Sequence, residues 1–428
     1  MKIAVVGAGI SGLRTAMLLE QAGHEVTVIE ARNRLGGRLW TAEPSEGTLY
    51  EAGGEWIDGD HVRCLALLSH FGMEPITPPD GPSLLYFGGE SVYEDEPWSS
   101  ALEDMVRIEA EAKLRCRELL DPVWRTVKRK EWDEIILDDF FRENSSSSSG
   151  YWYVKARFRS DEGDDPDRVG LMGWLSGYNL YLDRESDLMS SYKFPGGVSR
   201  LIEAMASSLT SEVRLRCPVT RITSKDEAVL VECDGKVESF DRCVVTLPPA
   251  ALERIVFEPA LRPEMRCAIE ATPLSRTIKI ALRFQSKWWL RRGWGGRMLS
   301  DNNLQQTWDG TLGENPILMM YVCGDTAENW NQLDDPVRAA VHELSQQFPE
   351  ASDEFIEGWH HDWVRDPWSH GGFSYRPPGY VFGHLQHIAA AHHRVHFGGE
   401  HTAKWYGFIE GALESAERVT EEITRSAE

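Results

Sequence analysis

The chain opens on a strand, a glycine turn, a helix and a second strand ending on an acid, and few folds accept that order at that spacing. Ile3 to Val6 form a short, wholly apolar run, as expected of a strand buried on both faces of a parallel sheet. GAGISG follows, placing Gly7, Gly9 and Gly12 in G-x-G-x-x-G spacing, with Ile10 and Ser11 between the last two. LRTAMLLEQAG reads as a helix closed by Gly23, and HEVTVIE as a second strand that ends on Glu30. The first glycine permits a tight turn, the second admits backbone close to a pyrophosphate, and the third lets helix and strand pack closely. The helix N-terminus offers N–H donors and a positive dipole to phosphate. Glu30 stands about 20 residues on, where an acid holds a ribose hydroxyl. These thirty residues predict an α/β fold with a Rossmann-like dinucleotide-binding domain, and they do not choose between NAD and FAD.

Composition narrows the rest. With 428 residues the chain exceeds one small core, so two domains are expected. A net charge of −23 repels nucleic acid and anionic membranes and favours cationic ligands. The seven cysteines contain no C-x-x-C pair, which argues against zinc or another metal; scattered and odd in number, they suggest reduced thiols in a cytoplasm. No apolar run approaches the ~20 residues that cross a bilayer.

ARNRLGGRLWT follows Glu30 directly, and here the sequence resembles the flavin amine oxidase family, which includes monoamine, polyamine and L-amino-acid oxidases. The resemblance implies FAD. It assigns Ala31, Arg32, Gly36, Gly37 and Arg38 to the cofactor, with Arg38 offering fork-shaped donors to phosphate. YEAGGEWIDGDH looks like the family's flavin-edge loop, with Gly53, Gly54, Glu55 and Trp56. Val219, after a proline, takes the place of a residue at the adenine by this resemblance, although by itself it reads as an ordinary strand core residue. RVHFGGEHTAKWYGFIEGALESAERVTEEITRS is the most specific match after the N-terminus. It brings Gly399, Glu400 in a ribityl-binding place, and Ile409 at the opening of a helix aimed at the flavin pyrimidine ring. Glu410 reads as a helix N-terminal acid.

The matching blocks are separated, so two interleaved domains are expected: an FAD-binding domain from 1–80, 190–270 and 385–428, and an α+β substrate-binding domain from 81–189 and 271–384, helical over 99–189. SSSSSG at 145–150 reads as a mobile loop and DEGDDPD at 161–167 as a polar breaker.

TIKIALRF at 277–284 alternates apolar and polar residues, so it reads as a strand with one apolar face. By itself that puts Lys279 on a solvated face. The resemblance instead places Lys279 at the flavin N5, holding a water that would satisfy a buried ammonium. It places Phe373 and Phe408 as the two walls of an aromatic cage, with Trp363 nearby. Many family members carry tyrosine at both walls, so any help from a hydroxyl is absent here. Gly372 precedes Phe373 where some members have a flavin-linking cysteine, which implies non-covalent FAD. His61, His360, His361 and His401 read as structural.

The function implied is oxidation of an amine α-carbon to an imine, with dioxygen as acceptor. An L-amino-acid oxidase would need an arginine for the carboxylate, for which Arg63 and Arg376 are candidates. A natural-product amine or amide oxidase, a carotenoid-desaturase or protoporphyrinogen-oxidase-like enzyme, and a flavin-binding protein without turnover stay open. The amine and the oligomeric state, a homodimer among the options, are not legible.

Overall fold

The computed structural model describes residues 1–78, 81–182 and 188–425. Residue 80, the expected domain boundary, and residues 183–187 of the expected helical part lie outside them.

A five-stranded parallel sheet carries the N-terminal motif. Its order is Val395–Phe397, Arg242–Val245, Lys2–Val6, Glu25–Ile29, Glu212–Arg214. The first strand is central, pairing Val6 with Ile29 on one side and with Val245 on the other. Its carboxyl end is therefore a topological switch point, the crevice where α/β sheets bind ligands. Helix Ile10–Gln21 starts there and packs on the last helix, Ile409–Arg425, with Ser11 and Ser415 hydroxyls 2.9 Å apart. Ala412, Leu413, Ala416, Val419 and Ile423 are the buried stripe of that last helix, at the three- and four-residue spacing of one helical face. Gly23 takes φ 80° just past the first helix, as its C-terminal position requires.

A four-stranded sheet, Lys236–Phe240, Val229–Cys233, Val219–Ser224, Val256–Glu258, sits beside it. Asp234 and Gly235 make its hairpin turn with φ 49° and 71°, the conformation a two-residue hairpin demands.

The third sheet has seven strands, with Thr277–Phe284 flanked by Phe355–Asp362 and Ile317–Cys323. This central place corrects the reading of TIKIALRF. Both faces of the strand are covered: Ile278, Ile280, Leu282 and Phe284 enter one core cluster, and Ala281 enters another with Tyr50, Trp308 and Met319. Each such apolar side chain contributes about 1.5–3 kcal/mol on burial.

Two further expectations are corrected. Residues 145–149 are no mobile loop: Ser146 and Ser147 donate to the buried Asp104 carboxylate, and Ser147 caps helix Ser148–Glu162. A serine run is polar, but each hydroxyl can cap or bond an acid, and Asp104 supplies one. Nor are all cysteines reduced: Cys217 and Cys233 form a disulfide, brought together because Cys233 pairs with Val219, two residues past Cys217. The other five are free. The breaker at 161–167 does end a helix, at Gly163 with φ 67°, yet Asp164 and Asp165 are buried against Arg276 and Arg159.

Candidate active site

One cavity of about 330 Å³ runs from the switch point of the parallel sheet to the seven-stranded sheet. Its first half is built from backbone. Gly7 has φ 106°, and a Cβ on Gly12 would lie 1.9 Å from the Gly7 carbonyl oxygen, so the helix can rise against the turn only without a side chain there. Gly9 differs: its φ is −71° and the nearest atom to an added Cβ is 4.0 Å away. The protein itself leaves room there, and that room faces the cavity. Gly36 bridges to Gly9, with its N–H on Ala8 O at 2.9 Å. Glu30 is buried, and its two oxygens accept from Ala8 N and Arg32 N, both at 2.8 Å. Each carboxylate oxygen keeps a second lone pair for a ribose hydroxyl. These features fit a dinucleotide.

Arg32 lines the cavity, but its guanidinium is forked onto Asp366 at 2.8 and 2.6 Å and reaches Ser369. Arg38 spans the two ends of the chain, donating to Gly372 O and Glu400 Oε1, both at 2.8 Å. Glu400 also accepts from Ser374 and Gly407 N–H. Burial alone would push its carboxyl up, but the Arg38 charge and the bonds from Ser374 and Arg38 hold it below the usual range. At the start of the last helix, Glu410 accepts from Arg63 N and Cys64 N and pairs with the Arg63 side chain. It is a structural link between two helix starts.

The second half of the cavity is built from side chains. Lys279 is 7% exposed. Its Nζ donates to Gly53 O at 2.7 Å, Glu51 O at 3.2 Å and Glu55 Oε2 at 2.6 Å. All three N–H donors are thus met by protein acceptors, which is how a buried ammonium is tolerated. The other oxygen of Glu55 receives Lys193 Nζ at 2.9 Å and Trp308 Nε1 at 2.9 Å. Burial pushes Glu55 up, and the two lysines bring it below the ordinary carboxylate range. Trp363 donates its indole N–H to Ala52 O at 2.8 Å. Phe373 and Phe408 line the same cavity. Phe408 is backed edge-on by His61 at 5.1 Å and by Trp405 at 5.9 Å.

Every sequence-predicted site residue lines this cavity except Gly12, which lies beneath the turn: Gly7, Gly9, Ile10, Ser11, Glu30, Ala31, Arg32, Gly36, Gly37, Arg38, Gly53, Gly54, Glu55, Trp56, Val219, Gly399, Glu400 and Ile409 with Lys279, Trp363, Phe373 and Phe408. The four histidines do not. Burial lowers His361 and His401 to about 4, so both are neutral. Arg63 and Arg376 do not line it either. Arg376 lies 4.1 Å over the Tyr406 ring and bonds Ser176 and Ala403 O.

Sequence reasoning missed Trp308, Gln306 and Tyr321 on the seven-stranded sheet, Arg157, Ser160 and Asp161 at the end of helix Ser148–Glu162, and Arg297. It also missed Lys193, just behind the lining. Only the lysine before FPGG was in the sequence; its place on the ladder with Trp56 comes from the structure.

A family model described as flavin containing amine oxidoreductase matches residues 10–424. An L-amino acid dehydrogenase of Synechocystis is 25% identical over 98% of this chain and 94% of its own length. A flavin-containing amine oxidase A of Sus scrofa is 25% identical over 98% and 84%. The solved structure of cyclohexylamine oxidase from Brevibacterium oxydans superposes with TM-score 0.90 at 23% identity, covering 100% of this chain and 99% of that one.

Proposed function

Because the chain belongs to the flavin-containing amine oxidoreductase family, with FAD as its cofactor, we propose that it oxidises an amine without an α-carboxylate. The observation that carries this is the continuity of one cavity: the glycine cradle, Lys279 and the Phe373, Phe408 and Trp363 walls share it. When bound, FAD would supply the two-electron acceptor for the α-hydrogen as a hydride equivalent; with the proton given up by the amine nitrogen, dioxygen would be reduced to hydrogen peroxide and the amine left as an imine.

The chain's own residues supply binding and orientation. Gly7, Gly9 and the helix N-terminus hold the pyrophosphate, Glu30 a ribose, Arg38 and Glu400 the stretch toward the flavin. Phe373 and Phe408 flank the amine and exclude water, so its α C–H is presented in one orientation. Lys279 orders a water at the cavity by releasing its longest bond, the one to Glu51 O. Non-covalent FAD is the reading supported by Gly372 before Phe373, and, among the described residues, the cysteine on the cavity is Cys217, already in a disulfide at the Val219 end. Residues 1–80, 190–270 and 385–428 form the FAD-binding unit of this proposal, and 81–189 with 271–384 the substrate unit. A cytoplasmic location accords with the net charge of −23 and the five free cysteines, and the Cys217–Cys233 disulfide counts against it. No helix among the described residues is long and apolar enough to cross a membrane. Light scattering tests the homodimer.

A second reading is an amino-acid substrate. Arg157 and Arg297 both line the cavity. Glu94 sits 2.9 Å from one and 3.8 Å from the other, which offsets the charge a substrate carboxylate would seek, and the acids Asp58 and Asp161 line the cavity too. The purified protein, titrated without oxygen with amines, diamines and L-amino acids, decides. Bleaching of the flavin by amines supports the first reading; bleaching by amino acids alone transfers the assignment to the second. Lys279→Met should keep FAD and slow reoxidation by at least about tenfold; a variant that consumes dioxygen like the parent removes Lys279 from the reaction.

A further inference from the structure

Lys193 has no role in the scheme above. It is 6% exposed, stands behind the cavity lining, and comes from a two-residue strand, Tyr192–Lys193, that pairs with Trp56–Ile57. The register sets Lys193 directly across from Trp56, one residue past Glu55. Its ammonium lies 4.3 Å over the Trp56 ring, donates to Asp309 O at 3.3 Å, and meets Glu55 Oε1 at 2.9 Å. Among the described residues Glu55 is its one acidic partner.

Glu55 is 3% exposed and divides its oxygens between two lysines. A buried carboxylate needs one cation for neutrality; here it has two, plus the Trp308 N–H. The nearby Glu51 carboxyl does not balance the excess by contact, since its oxygens are directed to Val198 N and Thr41 Oγ. Two ammonium groups against one carboxylate leave these three groups with one positive charge in excess, which Glu51 meets through its field on Lys279 and not by contact of its carboxyl. The array touches the cavity through Glu55 and Lys279 and not through Lys193. A second lysine bought only for packing would be poor design, because an apolar residue fills such a place without desolvation cost.

We propose that Lys193 is a positioning residue for Lys279: through Glu55 it fixes the ammonium at the cavity wall and sets the positive charge of that wall. The inference rests on the reading that Lys279 works at the cavity. Without Lys193, Glu55 Oε1 keeps only the neutral Trp308 N–H, a weaker hold than an ammonium, and the carboxylate can shift so that Lys279 loses the shortest of its three bonds. Glu55 held from both sides has both oxygens fixed, and Lys279 is aimed by the loop 51–55 without freedom to swing.

A double-mutant cycle tests this on the FAD-loaded enzyme. The flavin is reduced by light, with no amine present, and its reoxidation in air is timed. The result is therefore separate from whether the substrate is an amine. Lys193→Met should slow reoxidation by about fivefold or more, and the double variant with Lys279→Met should be no slower than Lys279→Met alone, because coupled residues are not additive. The flavin midpoint potential, measured by dye equilibration, should move negative in Lys193→Met. Lys193→Arg, which keeps the charge, should restore both rate and potential toward the parent. Effects that multiply in the double variant, or a Lys193→Met enzyme matching the parent in rate and potential, overturn the proposal. So does loss of FAD or fold in both Lys193→Met and Lys193→Gln while Lys279→Met stays intact, which would assign Lys193 to stability alone.

Discussion

The two halves of the cavity are made of different materials. The dinucleotide half is built on backbone: glycines, a helix start and Glu30 from the first forty residues, joined by Val219 and by Glu400 paired with Arg38. The other half is side chains gathered from positions 51–56, 192–193, 277–284, 306–308, 363–373 and 405–409. Shape governs the first and charge balance the second. A steric error in the cradle cannot relax, because the blocking atom is backbone. An electrostatic error in the wall leaves the shape intact and strands a charge.

The largest effects should come from the cradle, and they should split by glycine. Gly12→Ala forces a Cβ to 1.9 Å from Gly7 O and 2.9 Å from Thr246 Oγ. It should destabilise the fold by roughly 3 kcal/mol or more and give protein without FAD absorbance. Gly9→Ala meets no protein atom closer than 4.0 Å. Its apoprotein should unfold at the parent's urea midpoint and still lose FAD, since the space belongs to the ligand. Equal midpoints and equal FAD content in parent and both variants would end the claim that the cradle is steric.

Next is Glu55→Gln in the wall. It keeps volume and leaves Lys193 and Lys279 buried without a carboxylate between them. Stranding a buried charge costs about 3–5 kcal/mol, and here two cations also repel. The variant should unfold at distinctly lower urea while Glu55→Gln/Lys193→Met, with one cation removed, recovers part of the loss. A double variant less stable than the single one would show that the wall is not governed by charge.

This difference in material also explains what could be read in advance. Gly7 to Glu30 is legible because its geometry is local: the spacing specifies turn, helix and acid together. Lys279 read by itself as a solvated residue, since period two reveals two faces but not whether both are covered. Only the pairing with strands 317–323 and 355–362, far along the chain, buries the polar face. Lys193 and Trp308 were invisible for the same reason: each meets Glu55 across more than a hundred residues of sequence. The serine run failed differently. Its composition suggested a loop, while its partner, Asp104, lies some forty residues upstream. Cys217 and Cys233 likewise pair through a strand register that spacing alone does not give.

The smallest predicted effect sharpens the comparison inside the wall. Glu51 is buried behind Lys279, and its carboxyl accepts from Val198 N at 2.7 Å and Thr41 Oγ at 2.9 Å. Burial first, and the Glu55 charge second, push it up to about 7 from an ordinary 4.5. The folded chain therefore holds this proton more tightly than the unfolded chain. Its contribution to stability is fully present below pH 4.5, fades as pH rises toward 7, and is gone above. Glu55, held below its ordinary value, acts oppositely and in a lower window: its contribution is present above the ordinary carboxylate range and lost on acidification. Glu51→Gln mimics the protonated acid at every pH. The stability of Glu51→Gln relative to the parent should rise between pH 5 and pH 8, by about 3 kcal/mol at most. Urea unfolding of both proteins at the two pH values reads it directly. A difference that stays constant would mean that Glu51 titrates alike in both states, and that Glu55 and its two lysines balance without reference to the acid behind them.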